Sequence, residues 1–176
     1  LRKTKNFLKK ISIRACFFLD RDGVINEEKN YVHKKKDFIW RKNIFKAVKL
    51  LNDNGYQVFV ITNQAGIGKG IYTDKQFHLL NDWMLNEFIE KGSFIDKVYY
   101  CPFNPQAKIK RFRKKTNLRK PGNGMILKAF KEWSITRKNS FLIGDSLSDI
   151  QAGKKTMISS HLVKGDIFKQ IRELIS

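Results

Sequence analysis

Cysteine, proline, acidic side chains and long apolar runs are all scarce in this chain. Only two cysteines occur among 176 residues, Cys16 and Cys101, far apart in sequence. They are too few for the disulfide framework of a small secreted scaffold, and a reducing, cytoplasmic setting is the expectation. Three prolines and 11 glycines exclude a Pro-rich or Gly-rich low-complexity chain. No apolar stretch approaches the roughly 20 residues needed to cross a bilayer, so no membrane partner is expected. Residues Leu1 to Lys10 are basic, but Arg14 and then Asp20 interrupt the apolar segment that follows, which makes a poor signal peptide. The first residue is Leu rather than Met, and the natural start is expected to be missing or trimmed.

Acidic residues number 16 against 36 Lys and Arg, a formal net charge of +20 with a pI near 10.1. That surplus invites a polyanionic partner such as nucleic acid. Lysine, however, outnumbers arginine 27 to 9, and Lys, Asn and Ile together supply 59 of the 176 residues. Those three amino acids have A/T-rich codons, so compositional drift is the favoured account of the charge and nucleic acid the alternative. What is present argues for a folded globule: 41% hydrophobic residues and 14 Phe. The length suits one domain with a proper core, taken as 15–176 behind a basic extension, 1–14.

The organising stretch is Phe17-Phe18-Leu19-Asp20-Arg21-Asp22-Gly23-Val24-Ile25-Asn26. The apolar run Ala15 to Leu19 reads as a buried strand of a parallel sheet. Alternate strand residues point the same way, so Asp20 and Asp22 can project together beyond its carboxyl end, where ligands bind in open α/β sheets. Two adjacent carboxylates call for a cation or a shared proton. The structural alternative is a strand followed by an Asp-Gly turn. Further strands are expected at Gln57–Ile61, Lys97–Tyr100, Phe141–Ile143 and Ser160–Val163. Helices are expected over Asn43–Asn54, after a Thr73/Gln76 capping box, through Ile126 to Trp133, onward from Asp149, and over Asp166–Ile175. Strands alternating with helices predict a doubly wound, mostly parallel α/β sheet. Residues 103 to 118 read as a loop dense in Lys and Arg.

The string Asp20-x-Asp22-Gly23, with Thr62 at a strand tip, Lys120 in Arg119-Lys120-Pro121, and Gly144-Asp145 followed by Asp149, resembles the haloacid dehalogenase superfamily of phosphohydrolases. Thr62-Asn63-Gln64-Ala65-Gly66-Ile67-Gly68-Lys69-Gly70, Asn30-Tyr31-Val32-His33 and Tyr99-Tyr100-Cys101-Pro102 are similar to its heptose-bisphosphate and histidinol-phosphate branch. The long interval from Cys101 to Arg119 favours the heptose side. The intervals between motifs leave no room for an inserted cap, so a capless, Rossmann-type domain is expected.

The resemblance implies an Mg²⁺-dependent phosphatase acting through an aspartyl-phosphate. Asp20 would be the nucleophile, Asp22 the general acid and base, Thr62 a phosphoryl donor and Lys120 a fixed cation, with Mg²⁺ on Asp20, Asp22 (through its carbonyl) and Asp145. Glu28, Lys29, Asn30, Tyr31, Asn63, Gln64, Ala65 and Arg119 would touch a small phosphorylated sugar. The implied step removes the 7-phosphate of a heptose 1,7-bisphosphate, in the supply of ADP-heptose for lipopolysaccharide core, by a monomer. Histidinol phosphate, a nucleic-acid 3′-phosphate and a non-catalytic basic binding module are the alternatives. The family's zinc site falls at Cys101, Phe103, Thr116 and Leu118, where one ligand of four is kept. No structural zinc is expected, and the loop then depends on packing of Phe103, Phe112 and Leu118. Ser146 stands where the family tends to have Lys.

Overall fold

The computed structural model describes residues 13–176; most of the basic extension, with the signal-peptide reading, lies outside the described residues. Strands β1 (Cys16–Leu19), β2 (Gln57–Asn63), β3 (Lys97–Cys101), β4 (Phe141–Gly144) and β5 (Ser159–Leu162) form one sheet in the order β3-β2-β1-β4-β5. Every pairing is parallel. Helices α1 (Ile44–Asp53), α2 (Ala65–Lys69), α3 (Asp74–Glu90), α4 (Gly124–Glu132), α5 (Leu147–Lys154) and α6 (Ile167–Ile175) alternate with the strands.

The side-chain period of two divides the core. Phe17, Leu19, Val58, Val60 and Ile143 enter one apolar layer with α1, α3 and α6. Cys16, Phe18, Phe59, Ile61 and Leu142 enter the other, with α4 and α5. Because both faces are covered, β1 carries no polar residue and is fully buried. Chain order runs outward from β1 to β2 and β3 on one side and to β4 and β5 on the other. The carboxyl end of β1 is therefore the topological switch point, where a crevice opens.

One local expectation, the start of the helix after β4, is corrected, and two other stretches show order that their sequence does not reveal. The glycine-rich stretch after β2 contains a helical turn, α2, because Ile67 is drawn into an apolar cluster with Tyr72, Phe77, Ala107 and Phe112. Helix α5 starts at Leu147, ahead of Asp149, with Ser146 as its N-cap. Loop 103–118 holds a 3₁₀ turn at Lys110–Phe112 and is tied down along its length. Asn104 N–H donates to Phe112 O at 3.1 Å and Ile109 N–H to Gly68 O at 3.0 Å. The cations there are exposed, and Arg113 also donates to Ala107 O at 2.7 Å and Lys108 O at 3.1 Å. Lys114 Nζ sits 3.9 Å from the Phe103 ring centroid. Phe112 is buried, and Phe103 and Leu118 pack against the neighbouring clusters.

Between β1 and α1 the chain makes a flap rather than a cap domain. Glu27 N–H donates to Ile39 O and Arg41 N–H to Ile25 O, 2.8 and 2.9 Å. Phe38 and Trp40 pin the base of the flap against Trp83 of α3 at ring separations of 5.4 and 5.5 Å.

Candidate active site

The site is assembled at the carboxyl end of β1, between β2 and β4. Asp20 N–H continues the sheet by donating to Ile143 O at 2.9 Å. The chain then turns at Gly23, whose φ of +83° is left-handed backbone that disfavours a side chain. Space decides the matter as well: a Cβ on Gly23 would lie 2.3 Å from Asp145 Oδ2. The glycine after the two aspartates thus lets the β4 carboxylate approach β1.

Lys120 enters from the loop before α4 rather than from a strand tip. Its buried ammonium bridges Asp20 Oδ1 at 2.8 Å and Asp149 Oδ1 at 2.6 Å, and donates to Ile61 O at 3.1 Å. Burial raises the Asp20 carboxyl to about 7; Lys120 opposes that, and Asp149 and Asp22 add to it. Burial pulls the Lys120 ammonium down, but Asp20 and Asp149 outweigh it and hold the group above its ordinary value. Glu28 is raised by burial, then by Asp22 and Asp145. Asp145 is raised by burial, then by Asp149. Several carboxylates crowded in this way favour a bound cation.

Asp22 is gripped from several sides. Arg21, 1% exposed, places Nε 3.1 Å and Nη2 2.9 Å from Asp22 Oδ1. Asn26 Nδ2 donates to the same oxygen at 3.0 Å and Gln64 Nε2 to Oδ2 at 3.1 Å. Arg21 also donates to Val32 O at 2.8 Å, which joins this carboxylate to the flap. Sequence reasoning gave Arg21 no role. The signal was an arginine directly after a buried strand and between two acids, since a buried cation needs such partners.

A cavity of about 290 Å³ opens here, lined by Asp20, Asp22, Lys120 and Asp145. Of the residues expected to touch substrate, Glu28, Asn30, Tyr31, Asn63, Gln64, Ala65 and Arg119 also line it, and Lys29 does not. Thr62 is buried beneath and accepts from Gln64 Nε2 at 2.8 Å, which leaves its own hydroxyl proton free. Lys69, Tyr72, Asn104, Ser146 and Ser148 line the cavity without having been singled out as site residues. A neighbouring cavity of about 610 Å³ shares Arg119 and Lys120 and adds Lys115 and Lys155.

The donor set fits a hard divalent ion. Asp20, Asp145 and Asp149 offer carboxylate oxygens within 4.8 Å of one another, and oxygen donors suit Mg²⁺. Asp149 has both oxygens engaged: one on Lys120 and the other accepting from the Ser146 hydroxyl at 2.7 Å. It therefore anchors the lysine and the α5 N-terminus at once, so Asp20 and Asp145 are the less committed carboxylates of the three. Among the described residues no helix is long and apolar enough to cross a membrane.

The family described as polynucleotide kinase 3 phosphatase matches residues 14–167. The D-glycero-alpha-D-manno-heptose-1,7-bisphosphate 7-phosphatase of Photorhabdus laumondii is 46% identical over 141 residues, 80% of this chain and 77% of its own. The beta-anomer enzyme of Rhodopseudomonas palustris is 40% identical over 153 residues, covering 87% and 85%. A D,D-heptose 1,7-bisphosphate phosphatase of B. bronchiseptica, solved with magnesium and phosphate, shares the fold at TM-score 0.77 and 24% identity. That alignment covers 90% of this chain and 86% of the other.

Proposed function

Because this chain belongs to the polynucleotide kinase 3 phosphatase family, within the haloacid dehalogenase superfamily, we propose that it is an Mg²⁺-dependent phosphomonoesterase removing the 7-phosphate of D-glycero-D-manno-heptose 1,7-bisphosphate. The observation that carries the chemistry is the buried Asp20–Lys120–Asp149 cluster facing Asp22 and Asp145 at the sheet's switch point. The sugar follows from relatives that act on it at 46% and 40% identity.

In the first step an Asp20 carboxylate oxygen bonds to phosphorus as the bond from phosphorus to the C7 oxygen breaks. Asp22, held by Arg21, Asn26 and Gln64, gives its proton to the departing oxygen. In the second step Asp22 takes a proton from water, the water oxygen attacks phosphorus, and Asp20 leaves with its carboxylate restored. Lys120 holds Asp20 and supplies positive charge beside the phosphoryl group, while Thr62 can donate its hydroxyl to a phosphoryl oxygen. Held by Asp20, Asp145 and the Asp22 carbonyl, Mg²⁺ would neutralise charge between the nucleophile and the phosphate.

A second phosphate has cations waiting. Arg119 lines both cavities with a buried Nη1 that has no hydrogen-bond partner among the described residues, and Lys155 and Lys115 line the second. The reading includes no structural zinc, because two of the four loop positions are Phe103 and Leu118, packed into apolar clusters.

The family description and the +20 charge support a second reading, a nucleic-acid 3′-phosphatase. Phosphate release is to be measured with Mg²⁺ on both anomers of heptose 1,7-bisphosphate, histidinol phosphate and a 3′-phosphorylated oligonucleotide. The heptose is expected to lead by at least about tenfold in kcat/KM. Turnover of the oligonucleotide alone, falling steeply with salt, would replace the sugar assignment.

A further inference from the structure

Tyr72 lies outside the motifs, yet it is 4% exposed and is among the residues that line the catalytic cavity. Its hydroxyl donates to Gln64 Oε1. The other end of the same amide, Nε2, donates to Thr62 Oγ1 at 2.8 Å and Asp22 Oδ2 at 3.1 Å. We propose that Tyr72 is a positioning residue for phosphoryl transfer, holding the Gln64 amide so that its N–H groups orient the Asp22 carboxyl and the Thr62 hydroxyl. The proposal rests on reading Asp22 as the general acid.

Close neighbours hold the ring in place. Gly66 lies against it so closely that a Cβ there would come within 2.1 Å of Tyr72 Cε1. His33 of the flap stacks on it at 5.0 Å with an interplanar angle of 7°. Ile67, Phe77 and Phe112 complete its apolar seat. The family string Gln64-Ala65-Gly66 thus contributes both the amide and the gap that admits the tyrosine. Burial raises the Tyr72 phenol above its ordinary range, so the hydroxyl remains a donor.

The amide has one satisfactory orientation. With Oε1 on Tyr72, both N–H groups meet acceptors. Flipped, Oε1 would face the Asp22 carboxylate, acceptor against acceptor. Without the phenol, Oε1 is left buried and unpartnered. Gln64 then relieves itself by turning toward the cavity, taking its donors away from Asp22 and Thr62.

General-acid help matters most when the leaving group is a poor one. The test compares kcat/KM, which reports the aspartyl-phosphate-forming step, for a primary alkyl phosphate and for 4-nitrophenyl phosphate. Tyr72→Phe is expected to lower the first by about tenfold or more and the second by less than about threefold. Gln64→Leu should reproduce the pattern, and adding Tyr72→Phe to it should cost nothing further. Equal losses on both substrates, or fully additive losses in the double variant, would overturn the proposal. Gln64→Leu keeps the test decisive if the tyrosine variant does not fold. No turnover of any phosphate by the unmodified chain would instead overturn the phosphatase reading, and this inference with it.

Discussion

Asp20→Asn is expected to reduce phosphate release by about 10⁴-fold or more, the scale on which loss of a nucleophile acts, while making the metal-free protein more stable at neutral pH. The two effects share a cause. Burial first, with Asp149 and Asp22 adding to it against Lys120, lifts the Asp20 carboxyl to about 7, against an ordinary value near 3.9. The folded state therefore binds this proton more tightly than the unfolded chain. The contribution is fully present below about pH 4 and is lost as pH rises through about 7. An asparagine has nothing to ionise and escapes that loss, although it gives up the 2.8 Å ion pair with Lys120. A net gain of about 1–3 kcal/mol at pH 8, vanishing toward pH 4, is the expected balance. Melting curves in EDTA across that range measure it. Added Mg²⁺ should raise the wild-type melting temperature more than the variant's, because the variant loses one carboxylate ligand. Parallel pH profiles for the two proteins would refute the account, and so would appreciable turnover by the variant.

Lys120→Met carries the largest expected loss of stability. The ammonium is buried between Asp20 Oδ1 and Asp149 Oδ1, and removing it leaves two carboxylates facing each other with no cation. Breaking such a buried pair costs about 3–5 kcal/mol. Burial pulls the Lys120 ammonium down while Asp20 and Asp149 together hold it above its ordinary value, so its stabilising contribution is complete below about pH 10 and is lost only as pH rises through the folded-state value. The full deficit should therefore appear at pH 7. It should shrink on acidification, as Asp20 takes up a proton and the repulsion falls. Urea unfolding of both proteins at pH 5 and pH 8 provides the check, and a variant as stable as wild type at pH 8 would refute the bridging role. Turnover should fall as well, because the same ammonium holds the nucleophile and faces the phosphoryl group.

Much of the fold was legible because its signals are local. Phe17 and Leu19 alternate with Cys16 and Phe18 onto opposite faces of the sheet, and a two-faced apolar run shows directly in the order of residues. Thr73 and Gln76 cap α3 as their spacing predicts. Helix α2 was not legible: two glycines in five residues argue against a helix, and only the apolar cluster around Ile67 and Phe112 outweighs that preference.

The sequence by itself determined the parallel α/β sheet, the placement of Asp20 and Asp22 at the tip of its first strand, and Thr62 and Asp145 at the tips of two others. These follow from periodicity and from motifs a few residues long. The tertiary structure alone decided that Asp149 anchors Lys120, that Arg113 and Lys114 hold the basic loop, and that Tyr72 reaches Gln64. Each of these sets the orientation of a side chain by charge or hydrogen bonding once distant segments have been brought together or the backbone has turned. An ion pair or an amide orientation has no period in the sequence, so it becomes visible only when the sheet has closed around β1.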